Sequence, residues 1–548
     1  MRTHYLLLII ALLQSPLTRT QSWAKQTLNR MSLPEKIGQL FIVTAVTNPE
    51  DPRNNRWFSH DAPGVECSYV KHLIKTYHVG GVIFLGTGTI DAQVQATREF
   101  QSLSKIPLFI AQDYEAGTGS RSQKGGFRFP CAMAQGAINN TQLIYDMAYE
   151  VGKQCAAIGV NMNFAPVVDI NNNPDNPVIG FRSYGQDKEE VAQRAELFMR
   201  GLQDAGIIAC AKHFPGHGDT EVDSHIGLPV IKHSFDHLKE IELYPFNELI
   251  LAGVDSVMTA HLHVPALDEK TIATMSSPTI HDLLRTRMNF SGLIITDALV
   301  MRAVSDNYKP GELELTALRA GNDILLCPTD VSRAVAAIEE ALVTGVLSIE
   351  ELDQHVLRIL QTKEKKLLNN ATISPAHDYK ELLHNGHACA LKRKVVEESI
   401  TAYNMKDINL QNATIIQVGH SPHDALARAA MEYGSTVIRL PKKCSLEDVE
   451  LTINQLDLQK PVVIALFGMN RDPKTHFGIS HNTIELIKQL QTKTQTVIAV
   501  FGSPYILRMF DAHVHALIAY ESDPLAQEVV AEIIANKHAA QGILPVHW

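Results

Sequence analysis

Apolar runs of four to eight residues recur along the chain from about residue 37, separated by amphipathic stretches with helical spacing. The predicted strands are 37–43, 81–85, 108–112, 161–168, 207–211, 256–260, 292–296 and 323–326. Helical patterns such as 141–158, 189–203, 235–252 and 278–288 lie between them. The strand runs are continuously apolar rather than alternating, as parallel strands buried on both faces are. Eight β–α units in about 330 residues predict a (β/α)8 TIM-like barrel. A doubly wound open sheet has the same alternation and is the competing architecture.

A helical segment at 349–368 ends this region, and 369–378 is polar, contains Pro375 and reads as a linker. A helix at 391–399 leads into five more apolar runs, 414–418, 436–440, 462–467, 497–501 and 516–520. They alternate with helical stretches and predict a smaller three-layer α/β/α sandwich. The expected division is a signal peptide at 1–20, a catalytic barrel at 21–368, a linker and helix at 369–400, and an α/β domain at 401–548. A chain of 548 residues exceeds what one hydrophobic core supports, which agrees with that division.

Met1-Arg2-Thr3-His4-Tyr5, then an apolar run from Leu6 to Leu13 and a Gln14-Ser15-Pro16 breaker, has the layout of a secretory signal. The run is too short to span a bilayer, so export to the periplasm or medium is expected, without stable membrane insertion. A retained N-terminal anchor is the alternative. The net charge is -10 with no basic patch, which gives nucleic acid no electrostatic footing. Seven cysteines without CxxC spacing exclude a zinc ribbon or a small disulfide scaffold.

Chemistry concentrates where strands end. Asp113-Tyr114-Glu115-Ala116-Gly117 follows the third predicted strand, with Arg121 behind it. Asp169 and a turn-rich stretch leading to Arg182 follow the fourth, and His261 and Asp297 follow the sixth and seventh. After the fifth comes the densest segment, Lys212-His213-Phe214-Pro215-Gly216-His217-Gly218-Asp219-Thr220-Glu221-Val222-Asp223-Ser224-His225. Ionisable groups at five consecutive strand ends match the active-site face of a barrel. GxGxxG, P-loop and GxSxG patterns are absent, so no nucleotide cofactor or serine elbow is expected. His213, His217 and His225 lack HExxH spacing, and Lys212 beside them would repel a cation, so no metal is expected there. Carboxylate and histidine chemistry on an uncharged polar substrate remains, for which glycoside cleavage is the natural candidate.

The long segment from Lys212 to Pro229, with Ile-Ile-Thr-Asp-Ala-Leu-x-Met from Ile294 and Val167-Val168-Asp169 through Ser183, resembles the β-N-acetylglucosaminidases of glycoside hydrolase family 3, two-domain secreted type. The resemblance is dense over about residues 30–365 and departs at Ala116, where the family usually has glycine. It implies a retaining, cofactor-free exo-enzyme that releases terminal β-linked GlcNAc from peptidoglycan-derived fragments or related glycosides. Asp297 would attack the anomeric carbon and form a glycosyl-enzyme. An Asp223–His225 pair would be the acid/base, since residues i and i+2 of an extended segment share a side and the carboxylate can orient the imidazole. Asp113, Arg121, Arg182, Lys212 and His213 match the family's hydroxyl-binding positions, whereas His217, Asp219 and His261 hold the rim and Asp169 orders its own turn. A phosphorylase, a β-glucosidase and a non-catalytic wall-sugar-binding protein are the rival readings. The expected partner is a small GlcNAc-containing glycoside, and the oligomeric state is unread.

Overall fold

The computed structural model of the protein describes residues 22–48, 50–51, 66–86, 88–122, 124–221, 227–368, 375–405 and 408–548. The proposed signal at 1–20 lies outside the described residues. Eight parallel strands form the first sheet: β1 Phe41–Ala45, β2 Gly81–Phe84, β3 Phe109–Gln112, β4 Met162–Asn163, β5 Ile208–Phe214, β6 Ser256–Thr259, β7 Leu293–Thr296 and β8 Leu325–Leu326. Their order is β7-β6-β5-β4-β3-β2-β1-β8, and a bridge from Ile295 to Ile324 brings the two ends together. That is the barrel, not the open sheet. Except at Thr44, every strand residue is fully buried, because side chains fill the barrel interior on one face and meet helices on the other.

A second sheet contains β9 Thr401–Tyr403, β10 Thr414–Val418, β11 Thr436–Leu440, β12 Val462–Leu466, β13 Thr496–Val500 and β14 His515–Ile518. The order is β11-β10-β12-β13-β14-β9, and only β9 runs antiparallel. The five apolar runs are its parallel strands. The sixth, Thr401-Ala402-Tyr403, is too short and too polar to stand out, and it forms by adding to the exposed flank of β14.

The boundaries moved where local chemistry outweighed apolarity. Residues 37–43 do not form one strand, because Ser32, Pro34 and Glu35 start a helix at Leu33–Gly38 through a capping box. The predicted strand 161–168 shortens to Met162–Asn163, since Pro166 has no N–H to give the ladder. The predicted helix 235–252 splits into Phe235–Glu240 and Tyr244–Leu251. Pro245 cannot donate to the carbonyl one turn earlier, so the first helix stops before it.

The two units share an interior. Met133, Ala134 and Ala137, from the segment after β3, pack in the same apolar cluster as Ile416, Val418, Ile464 and Ile498 of the second sheet. The C-terminal tail returns to the first unit, where Ile543 N–H donates to Ala137 O at 2.9 Å and Gln186 N–H to Pro545 O at 3.1 Å.

Candidate active site

Asp113 follows β3 and Asp297 follows β7, while Lys212 and His213 lie near the C-terminal end of β5 itself. Strand β5 therefore extends three residues past its apolar run, carrying two polar side chains that the sequence reading placed in a loop. Its pairing with β6 slips between Lys212 and Phe214, and both Lys212 and His213 face the same cavity instead of alternating. Arg182 ends a short 3-10 turn, Gly180–Arg182, and Arg121 follows another, Thr118–Ser120. Asp113, Arg121, Arg182, Lys212, His213 and Asp297 all line one open cavity of about 730 Å³. Asp223 and His225 lie outside the described residues.

Charges in the cavity are interlocked. Lys212 Nζ sits 2.9 Å from Asp113 Oδ1 and 2.8 Å from Glu115 Oε1. Arg182 grips Glu115 through Nε at 3.0 Å and a terminal nitrogen at 2.8 Å, and Arg121 reaches Asp113 Oδ2 at 3.2 Å. Burial opposes the Asp113 charge, but Lys212 and Arg121 hold its carboxyl below the ordinary aspartate value. Burial likewise opposes the Glu115 charge, and Arg182 and Lys212 hold it well below the usual carboxylate range. Lys212, despite its burial, is kept charged by the same two carboxylates. The cluster thus presents fixed, fully ionised acceptors and donors, as hydroxyl binding requires. Glu115 belongs to the quoted motif but had been given no role; its alternation with Asp113 along an extended segment was the available signal. Ala116 is absent from the left-handed residues, whereas Gly117 takes φ +83°, so the alanine is accommodated and the glycine is the residue the turn needs.

Asp169 does more than order its own turn. Its Oδ1 accepts the His217 N–H at 2.7 Å and the His213 N–H at 3.2 Å, and its Oδ2 lies 2.7 Å from His213 Nδ1. A carboxylate only accepts, so His213 Nδ1 carries the proton, and Nε2 receives the Arg182 N–H at 3.3 Å. Asp169 thereby fixes both the backbone and the tautomer at the end of β5. Gly218 lets the following segment press against it, since a Cβ there would stand 1.7 Å from Ile170 O.

Asp297 is half-buried, its N–H donates to Thr259 O at 2.9 Å, and its Oδ1 accepts the Ala298 N–H at 2.8 Å. His261 Nε2–H donates to Ala298 O at 3.1 Å, which holds this turn from the next strand. The Ala298 N–H thus keeps the carboxylate oriented.

The second unit completes the cavity wall with Met469 and Arg471 after β12, Phe501 after β13, and Tyr520 and Glu521 after β14. Sequence reasoning missed these residues. The signal was there: they occupy the C-terminal ends of parallel strands, where open α/β sheets present ligand-contacting groups. Arg128 from the barrel meets Glu521 at 3.1 Å, and burial raises the Glu521 carboxyl above its usual value. Arg471 is solvent-exposed on the wall, in electrostatic reach of Arg182, Glu115 and Arg121, and no hydrogen bond or ion pair engages it among the described residues.

His217 is buried beside the cluster, and burial lowers its ring to about 4. In the unfolded chain the ring takes up its proton near pH 6.5, and in the fold only near pH 4. Between those values the unfolded chain binds more protons, so stability falls with pH, by roughly 3 kcal/mol in all. His217→Asn is expected to flatten the thermal-stability profile between pH 6.5 and 4. An unchanged slope in the variant would assign the acid sensitivity to other groups.

The model of the glycosyl hydrolase family 3 N terminal domain matches residues 32–362. Beta-hexosaminidase A of Pseudoalteromonas piscicida is 35% identical over 340 residues, covering 56% of this chain and 57% of that protein. Beta-hexosaminidase LpqI of Mycobacterium tuberculosis is 34% identical over 302 residues, covering 53% of this chain and 77% of its own. The solved structure of a glycoside hydrolase family 3 beta-N-acetylglucosaminidase from a Paenibacillus species superposes with a TM-score of 0.78 at 31% identity, covering 94% of this chain and 99% of that one.

Proposed function

The chain belongs to glycosyl hydrolase family 3, and from that premise we propose that it is a retaining exo-β-N-acetylglucosaminidase acting on peptidoglycan-derived fragments. The observation that carries this reading is the convergence of Asp297 with the ionised Asp113–Lys212–Glu115–Arg182 cluster in one sugar-sized cavity. Asp297 attacks the anomeric carbon, the leaving oxygen takes a proton, and the sugar is held as a glycosyl ester until water displaces the carboxylate. Asp113, Arg121, Arg182, Lys212 and His213 bind the sugar hydroxyls. Fixed donors and acceptors suit that task because they lose no orientation energy when the substrate arrives. The acid/base is the Asp223–His225 pair, a role that rests on the motif. A histidine serves because its ring can give a proton to the leaving oxygen and take one from water near neutral pH. The N-terminal 1–20 segment directs export. Among the described residues no helix is long and apolar enough to cross a membrane.

Release of GlcNAc from muropeptide, chitobiose and aryl glycosides tests the reading; no release from any of them would leave a sugar-binding protein. Arg471 supports a substrate with a negative charge beyond the GlcNAc, such as the carboxylate of an acidic neighbouring sugar. Arg471→Ala is expected to lower kcat/KM for an acidic aglycone about tenfold, or ~1.4 kcal/mol, with neutral aryl substrates unaffected. Equal losses on both would assign Arg471 a structural role. The same cation favours a second reading, transfer of the sugar to inorganic phosphate. Formation of the sugar 1-phosphate in phosphate buffer separates it from hydrolysis.

A further inference from the structure

Outside the cavity, His233, His237 and Glu242 bring two ring nitrogens and a carboxylate oxygen within 4.8 Å of one another. His233 lies two positions before the helix Phe235–Glu240, His237 lies in its first turn, and Glu242 occupies the turn that follows. The two rings stack with centroids 4.0 Å apart. His237 Nε2 and Glu242 Oε1 are 3.6 Å apart, too far for a hydrogen bond. That gap is close to the roughly 3.3 Å between two ligands of one tetrahedral ion at ~2.0–2.1 Å from each.

Glu242 is only 3% exposed, and its Oε2 has no hydrogen-bond partner among the described residues. A buried carboxylate oxygen without a donor is costly, and a cation would satisfy it. Asp219 Oδ2 lies 2.6 Å from His233 Nε2. The carboxylate can only accept, so Nε2 carries the proton and Nδ1 presents its lone pair, the arrangement by which outer carboxylates orient metal-bound imidazoles. A superficially similar group, Glu397, Glu532 and His538, is already explained, because Arg393 donates to both carboxylates.

We propose that His233, His237 and Glu242 bind a divalent transition-metal ion, with Zn²⁺ the best match, and that Asp219 orients His233 for it. Two imidazoles and one carboxylate favour zinc over the oxygen-seeking magnesium and calcium. The side chains of His233 and His237 are 32% and 42% exposed, which leaves room for water in the fourth position. The ion would tie the stretch after residues 222–226, from His233 through Glu242, to itself, and Asp219, which precedes those residues, would be tied to it through His233. Glu242 also packs against Gly216, where a Cβ would stand 2.8 Å from its own Cβ, so the ion would be linked to the end of the β5 segment.

The test is titration of the untagged, chelator-stripped full chain with Zn²⁺ against a chromogenic chelator. The wild type is expected to bind one equivalent and to unfold at a higher temperature when it is loaded. His237→Gln should weaken binding at least tenfold and remove the thermal shift, and Asp219→Asn should weaken it about 10–100-fold. Metal-free unfolding of each variant confirms that it is folded, and Asp219→Asn keeps the test alive if His237→Gln is not. The proposal is overturned if the wild type binds zinc no more tightly than the variants, or if its single equivalent survives both substitutions. Because the readout is ion binding, its failure leaves the glycosidase reading untouched, and loss of turnover leaves this one untouched.

Discussion

Asp297→Ala is expected to lower kcat on an activated aryl GlcNAc glycoside by on the order of 10⁴–10⁶, with the unfolding temperature little changed. The residue follows β7 with its backbone held by Thr259 and its Oδ1 by the Ala298 N–H, so removing the carboxylate takes away the attacking atom while the turn keeps its own backbone bonds. Small anions sharpen the experiment. In a double displacement, azide admitted to the vacated space attacks from the side that Asp297 occupied and yields the α-glycosyl azide. Near-normal turnover of Asp297→Ala would remove the proposed nucleophile.

His225→Ala should separate substrates by their leaving groups. An alkyl or sugar leaving group needs a proton as the bond breaks, so about 10²–10⁴ in kcat/KM should be lost. A dinitrophenolate leaves without help, so its first step should be nearly unaffected and the glycosyl-enzyme should accumulate as a burst. Equal losses on both classes would contradict the acid role. The same comparison made with Asp223→Asn asks whether the carboxylate acts through the ring: its losses should follow those of His225→Ala and be smaller.

The barrel was legible because buried parallel strands are continuous apolar runs, and the residues that line the cavity because strand ends carry polar side chains that packing does not require. Legibility failed where a residue's meaning depends on a partner far along the chain. Asp169 looks like a turn former, and only the fold shows it holding His213 and His217. Arg471 sits in an unremarkable Asn-Arg-Asp stretch of the second unit, and nothing local says that β12 ends above the barrel. Pro245 was visible, yet the apolar periodicity on both sides of it read as one helix. His233-x-x-x-His237 has metal-ligand spacing in plain view. Glu242, which gives that spacing its significance, becomes notable only through its burial.

The common apolar cluster of Met133, Ala134 and Ala137 with the second sheet has a further implication. A protein with two separable modules could trade one for another, whereas here excising residues 401–548 would lay bare a greasy face and strip the cavity of one wall. The cavity residues of the second unit and the strand ends of the barrel are therefore held in one arrangement by a shared interior. The two units have to be inherited, and repaired, as a single body.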